Sequence, residues 1–158
     1  MFASLSISRV RGVAAVAITA VMALSVSLFV APPARALGGE YLNVATERCL
    51  DGSITFGVRL VPCGPSTYQD WYALPSGAYP NYRVHHTVTG MCLDGSISNG
   101  VRLNDCNDSD YQRWEWRFGD AGQALLNVAT NKCLDGSISE GVRLKTCNNT
   151  EYQRWQTP

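Results

Sequence analysis

Hydrophobic and polar positions alternate along this chain in short stretches. Tyr41 to Thr46 reads YLNVAT, Leu125 to Thr130 reads LLNVAT, and Val58-Arg59-Leu60 recurs as Val101-Arg102-Leu103 and Val142-Arg143-Leu144. A period of two puts successive side chains on opposite faces, so these stretches predict half-buried β-strands. No window keeps a 3.6-residue period long enough for a helix. Asp51-Gly52-Ser53, Asp94-Gly95-Ser96 and Asp135-Gly136-Ser137 carry turn chemistry, and Gly57, Gly100 and Gly141 punctuate the chain before the next strand. The segments Tyr72 to Tyr82 and Glu115 to Gln123, rich in Gly, Pro and aromatic residues, predict packed loops. The pattern is that of an all-β chain.

The alternation is itself repeated. A stretch of 23 residues occurs at Cys49 to Trp71, Cys92 to Trp114 and Cys133 to Trp155 without gaps, and fourteen positions are identical in all three copies. The copies begin 43 and then 41 residues apart, so each is one supersecondary unit. A unit of about forty residues cannot bury a core alone, and the three are expected to close on one another as a pseudo-threefold object. The expected core is Leu50, Val58, Leu60 and Trp71 with their counterparts Leu93, Val101, Leu103, Trp114, Leu134, Val142, Leu144 and Trp155. The two histidines lie side by side in the strand opening the second repeat. His86 occupies the position of Asn43 and Asn127, and is expected to be a surface strand residue with no catalytic role.

Residues 1 to 36 carry the three parts of a secretory signal: Arg9 and Arg11, the apolar run Gly12 to Val30, and the small-x-small site Ala34-Arg35-Ala36. The rival reading is a membrane anchor, but the run is a weakly hydrophobic mixture of Ala, Val and Ser. Cleavage after Ala36 leaves residues 37–158, one domain of 122 residues, with ten Lys and Arg against thirteen Asp and Glu, a net of −3. That balance argues against nucleic acid and anionic membrane as partners, and no membrane insertion is expected once the signal is removed. A secreted, monomeric protein is expected.

All six cysteines fall in this part, as Cys49 and Cys63, Cys92 and Cys106, Cys133 and Cys147, each pair fourteen residues apart. Six cysteines allow fifteen connectivities, and a fixed separation repeated three times favours three local bridges, in keeping with export. A zinc site is the weaker reading, since no CxxC or Cys/His cluster occurs. No metal, cofactor or catalytic residue is expected: histidine is not repeated, there is no nucleophile motif, and three aspartates in separate lobes cannot share a scissile bond.

The unit of CLD, a second Cys fourteen residues later, and QxW ending eight beyond it resembles the repeat of the ricin B-type lectins, the QxW family. Three such units in register imply a β-trefoil of three lobes, about 41–80, 81–122 and 123–158. The YQRW ending and the spacing further resemble the actinohivin-like secreted lectins of the same fold, which bind mannose. The resemblance implies a carbohydrate-binding protein in which Asp51, Asp94 and Asp135 accept hydrogen bonds from sugar hydroxyls, as a carboxylate with two oxygens can. It implies that Gln69, Gln112 and Gln153 support those aspartates. Tyr68, Tyr111 and Tyr152 would contribute to a mannose-type site, and so would Asn107 and Asn148, with Gly64 in their place in the first lobe. Trp71, Trp114 and Trp155 are expected to be structural.

The chain also departs from these patterns. Val61, Asn104 and Lys145 stand where a galactose site carries an aromatic platform, and Arg59, Arg102 and Arg143 replace the Tyr of the mannose-type site. Each Arg either pairs with the Asp of its lobe and holds the pocket in shape, or selects a sugar bearing its own carboxylate, which suits a planar guanidinium. Asn107-Asp108-Ser109 and Asn148-Asn149-Thr150 match the N-glycosylation pattern and are read as chance turn sequences. Single sites of this kind are weak, so function is expected to rest on avidity across lobes, with the second and third lobes the better sites because Gly64-Pro65 alters the first. A different class of function is a trefoil scaffold that binds a protein partner as an inhibitor or targeting subunit, through Tyr79, Tyr82, Trp116 and Phe118 in the connectors.

Overall fold

Each repeat folds as a β-hairpin followed by a single 3-10 turn and a tryptophan. The computed structural model describes residues 37–119 and 122–156; the expected signal at 1–36 lies outside them. The first lobe contains β1 (Leu37–Gly39), β2 (Leu42–Asn43), β3 (Arg48–Ser53), β4 (Gly57–Pro62) and β5 (Trp71–Pro75). The second contains β6 (Asn81–His86), β7 (Cys92–Ser96), β8 (Gly100–Asn104) and β9 (Trp114–Gly119). The third contains β10 (Gly122–Asn127), β11 (Lys132–Ser137), β12 (Gly141–Lys145) and β13 (Trp155–Gln156).

All strand pairs are antiparallel. From β1 the order runs β5, β6, β9, β10, β13 and β2. Because β1 and β2 are parts of one stretch broken only at Glu40 and Tyr41, that path closes into a barrel. The hairpins β3–β4, β7–β8 and β11–β12 extend from it, each joined through its first strand to β2, β6 or β10, and β4, β8 and β12 approach one another where the hairpins meet. This is an all-β, three-lobed β-trefoil. Among the described residues no helix is long and apolar enough to cross a membrane.

The core forms where the repeats converge. Leu50, Leu93, Leu134 and the three tryptophans are fully enclosed, with Val58, Leu60 and their counterparts half-buried against them. Each indole Nε1 donates to the carbonyl of its own lobe's core leucine, Trp71 to Leu50 at 2.9 Å, Trp114 to Leu93 at 2.9 Å and Trp155 to Leu134 at 3.1 Å, so the one polar atom of each ring is satisfied. The same packing dictates the glycine of CLDG. A Cβ on Gly52 or Gly95 would stand 2.9 Å from the tryptophan ring of its lobe. Disulfides join Cys49–Cys63, Cys92–Cys106 and Cys133–Cys147 across the open end of each hairpin.

Three expectations change. The connectors are chiefly strand, not packed loops: β5 pairs with β6, and β9 with β10, because a barrel needs two strands from each lobe and these segments supply them. Trp116 lies in the core stacked on Tyr41, ring centroids 5.7 Å apart, and Tyr82 is half-buried against it. Of the proposed aromatic surface only Tyr79 stands exposed; the Phe118 side chain lies outside the described residues. His86 is fully buried. Its Nε2 donates to the Tyr68 carbonyl at 3.0 Å and its Nδ1 accepts from Thr89 Oγ1 at 2.8 Å. Asn43 and Asn127 do the same work in the other lobes, donating to the Tyr152 and Tyr111 carbonyls at 2.9 and 2.8 Å and accepting from Thr46 and Thr130.

Candidate functional site

The hairpin register brings the site residues together. Asp51, Asp94 and Asp135 lie opposite Arg59, Arg102 and Arg143 on the paired strands, and cross-strand partners of opposite charge on one face attract. Arg59 Nε sits 2.9 Å from Asp51 Oδ1, Arg102 Nε 3.2 Å from Asp94 Oδ1, and Arg143 Nη2 2.9 Å from Asp135 Oδ1. The aspartate side chains are 6, 4 and 3% exposed against 43, 40 and 22% for the arginines. Each carboxylate is therefore the floor of its site and each guanidinium its upper layer.

The glutamines approach from behind. Gln112 Nε2 reaches Asp94 Oδ2 at 3.3 Å and the Asp105 carbonyl at 2.9 Å; Gln153 Nε2 reaches Asp135 Oδ2 at 3.2 Å and the Thr146 carbonyl at 3.0 Å. Their Oε1 atoms accept from the Asn107 and Asn148 backbone N–H at 2.9 Å each. The first lobe differs: Gln69 bonds the Pro62 carbonyl and the Gly64 N–H, both at 3.1 Å, and among the described residues it makes no bond to Asp51. The glutamine thus contacts the aspartate of its lobe in the second and third lobes. In the first, where Gly64, followed by Pro65, replaces the Asn of the other lobes, Gln69 keeps the equivalent backbone bonds alone.

Asn107 and Asn148 are exposed, each with Oδ1 closing a local turn by accepting from Ser109 or Thr150. Tyr68, Tyr111 and Tyr152 stand half-exposed, each the middle residue of its 3-10 turn. In the third lobe a cleft of about 320 Å³ gathers Asp135, Arg143, Asn148 and Tyr152 on its walls, together with Glu140 and Lys145. Gln153 stays buried behind it. Its charge pattern is internally compensated, since Arg143 Nη1 also pairs with Glu140 and Lys145 Nζ lies 3.7 Å from the same carboxylate.

One residue at each hairpin tip, three before the arginine, is not repeated. Phe56, Asn99 and Glu140 share this position. In the first lobe the Arg59 guanidinium lies over the Phe56 ring, 4.6 Å from its centroid. In the second Asn104 Nδ2, from the other strand, adds a long contact of 3.4 Å to Asp94. The histidines sit beside the sites and not in them. Burial lowers the pKa of His86, and burial with the nearby Arg83 charge lowers that of His85. Two groups have metal-ligand proximity, His85 with Cys92 and Cys106, and Glu40 with Cys49 and Cys63. Both cysteines of each are consumed in a disulfide, and the thiolate is the ligand, so each group retains one ligating side chain.

The sequence profile of the ricin-type β-trefoil lectin domain matches residues 38–155. The chain belongs to this lectin family. Membership makes it part of a carbohydrate-binding, non-catalytic class of β-trefoil. No curated protein sequence matches the chain. Among solved structures, the designed threefold-symmetric protein ThreeFoil superposes with a TM-score of 0.69 at 18% identity, over 77% of this chain and 97% of that one. The hemolytic lectin CEL-III superposes with a TM-score of 0.64 at 27% identity, over 75% of this chain and 29% of its own length. A Polyporus squamosus lectin, bound to the epitope Neu5Acα2-6Galβ1-4GlcNAc, superposes with a TM-score of 0.63 at 18% identity, over 75% of this chain and 48% of that one. The chain thus spans under a third of CEL-III and about half of the Polyporus lectin.

Proposed function

We propose that the protein is a secreted lectin, its lectin domain at 37–158 freed from a signal at 1–36, which binds extracellular glycans through up to three weak sites, one per lobe. The observation that carries this reading is the third-lobe cleft, where Asp135, Arg143, Asn148 and Tyr152, four residues scattered over 18 positions of sequence, open onto one space. Asp and Arg act there as a unit. The aspartate is too deeply placed to meet a ligand first, so it fixes the guanidinium, whose remaining N–H groups face sugar oxygens; a hydroxyl reaches the carboxylate as the arginine swings aside. The half-exposed tyrosine supplies a flat face for the C–H side of a pyranose. The motif likeness to actinohivin-like lectins favours a neutral mannose-type sugar.

Three sites of this depth bury little apolar area, and binding strength comes from a monomer engaging a repetitive glycan at several lobes, a gain of about 10²-fold or more when the spacing permits. A second reading, selection of an acidic sugar, is favoured in the second lobe by one feature. Among the described residues Arg102 has Asp94 as its only ion-pair partner and no ring over it, whereas Phe56 covers Arg59 in the first lobe and Glu140 occupies Arg143 in the third. A protein-binding surface in the connectors loses Trp116 to the core, with Tyr82 half-buried against it.

The test is a glycan array probed with the wild-type protein, the triple variant Asp51→Ala, Asp94→Ala, Asp135→Ala, and the triple variant Tyr68→Ala, Tyr111→Ala, Tyr152→Ala at half-exposed positions, each variant checked for folding by thermal melts. Signal on neutral mannose-type or galactose-type glycans, lost in both variants, supports the proposal. Signal on acidic glycans alone moves the arginines to the ligand. Silence from folded wild-type protein at high glycan density refutes the lectin sites.

A further inference from the structure

Of the fourteen positions identical in all three copies, twelve have work to do in the fold. The cysteines form disulfides, leucine, valine and tryptophan build the core, Asp and Arg pair across each hairpin, and the buried Gln ties down the loop after the second cysteine. The first glycine admits the tryptophan ring and the second has φ of 71 to 73°. The serine Oγ accepts from the backbone of the turn at 3.2 to 3.4 Å. The isoleucine and the tyrosine remain. Ile54, Ile97 and Ile138 are 76, 68 and 68% exposed, and Tyr68, Tyr111 and Tyr152 are 47, 47 and 48% exposed.

One exposed isoleucine needs no explanation. A β-branched residue inside a tight turn runs against turn chemistry, and this one is kept at three equivalent tips where packing does not demand it. Its surroundings give it a use. Ile97 and Tyr111 line a cleft of about 410 Å³ whose far wall is Ala129 and Thr130 of the next lobe. Ile138 and Tyr152 line the symmetry-equivalent cleft, about 210 Å³, against Ala45 and Thr46. Ser137, Ser139 and Tyr152 line this inter-lobe cleft and the Asp135 cleft alike, so the two spaces share a wall.

We propose that in the second and third lobes the inter-lobe cleft is a second subsite, which takes the neighbouring sugar of a glycan whose first sugar occupies the aspartate site. This rests on the lectin reading above and adds that these lobes prefer linear oligosaccharides to single sugars. The occupant follows from the walls. An isoleucine and a tyrosine ring on one side, with serine and threonine hydroxyls around them, match a pyranose, whose C–H face is apolar and whose edge is polar. In the third lobe the shared wall makes the two spaces adjacent, and the second lobe lines its inter-lobe cleft with the same residue types, Ser96, Ser98 and Tyr111. The first lobe is left out of the proposal because its facing position is Val88, 47% exposed, where the others meet Ala45 and Ala129, a larger side chain on the far wall.

The test is solution calorimetry, free of avidity, on the full chain and on Ile97→Ser, Ile138→Ser, with mannose, galactose and N-acetylglucosamine each offered as the methyl glycoside and as a linear trimer. Losing the contact of one aliphatic side chain with a sugar face is expected to weaken trimer binding about tenfold and to leave single-sugar binding unchanged. Both substitutions are on the surface, where effects on stability are small, and thermal melts verify the fold. Trimer affinity equal to wild type in the variant overturns the second subsite alone. So does a parallel loss for single sugars and trimers. Wild-type protein that binds none of the six ligands overturns the subsite together with the lectin reading.

Discussion

Replacing each site arginine by methionine in turn should produce unequal losses of stability, and the order follows from what else each aspartate holds. Methionine keeps most of the length and volume of the side chain, so the change removes the charge and its hydrogen bonds and little packing. At about 3 Å and an effective dielectric of about 20 the attraction within each pair is on the order of 5 kcal/mol gross, and most of that is offset by the desolvation of the carboxylate. What decides the variant is the state in which the carboxylate is left. Asp94 keeps Gln112 Nε2 and Asn104 Nδ2, and Asp135 keeps Gln153 Nε2. Asp51 accepts from Arg59 alone among the described residues.

Arg59→Met therefore leaves a buried carboxylate without a donor and also removes the stacking on Phe56. An orphaned buried charged group costs about 2 to 3 kcal/mol, and the lost cation–π contact adds about 0.5 kcal/mol at an exposed site. Arg102→Met and Arg143→Met leave carboxylates that are still hydrogen-bonded, and should cost about 1 kcal/mol each. Urea unfolding of wild type and the three variants at pH 7 measures this: with a slope near 2 kcal/mol/M, the midpoint falls by more than about 1 M for Arg59→Met and by about 0.5 M for the others. Equal shifts in the three, or the largest shift in the second or third lobe, would refute the argument that donor count at the aspartate sets the cost.

Two further predictions concern the scaffold. His86→Asn installs the residue that Asn43 and Asn127 already use for the same bond, so at pH 7.5 its stability should lie within about 1.5 kcal/mol of wild type. The folded pKa of His86 lies below its ordinary 6.5, so the unfolded chain takes up a proton first as pH falls and stability is lost below that point; melting curves at pH 7.5 and 5 should show a smaller acid loss in the variant, with His85 accounting for part of the remainder, and an unchanged loss would sink the assignment. Gly95→Ala places a Cβ 2.9 Å from the Trp114 ring and 3.0 Å from Asn127 Nδ2, whereas Gly64→Ala meets nothing within 4 Å. The first should cost about 1 to 3 kcal/mol of overpacking and the second almost nothing, and comparable chemical-denaturation midpoints for the two would contradict the close approach.

The hairpins, the disulfides and the repeated core were legible in the sequence because three copies report the same packing demand, so chance is averaged out at every identical position. Residues that meet a demand arising between lobes were harder to read. His86 looks like a surface residue within its own strand; its burial follows from a carbonyl, that of Tyr68, which a preceding lobe leaves for it. The signal was present in its alignment with Asn43 and Asn127, two polar residues with one hydrogen-bonding task. Trp116 lies two residues after Trp114, so strand alternation from a buried tryptophan already pointed inward. Aromatic, Gly and Pro content in the connector outweighed that period of two and suggested a loop. Gln69 shows the opposite limit: an identical residue that keeps the same two backbone partners but not the bond to the aspartate that Gln112 and Gln153 make.

Within the site, the same logic separates scaffold from discrimination. The threefold parts, aspartate under arginine with tyrosine at the rim, set a common polar floor and make the lobes alike. The hairpin-tip position makes them different, since it meets the arginine from the solvent side. Phe56 covers Arg59 with a ring, Glu140 draws Arg143 into a second pair, and Asn99 brings no charge to Arg102. A guanidinium has five N–H donors in a fixed fork, so the number left for a ligand falls with each partner the protein supplies. On that reasoning the second lobe offers its arginine most freely, the third offers a neutralised one, and the first offers an aromatic face beside it. A glycan reading all three would therefore meet one architecture with three chemistries, and the residues that set its preference are the ones in which the repeats disagree.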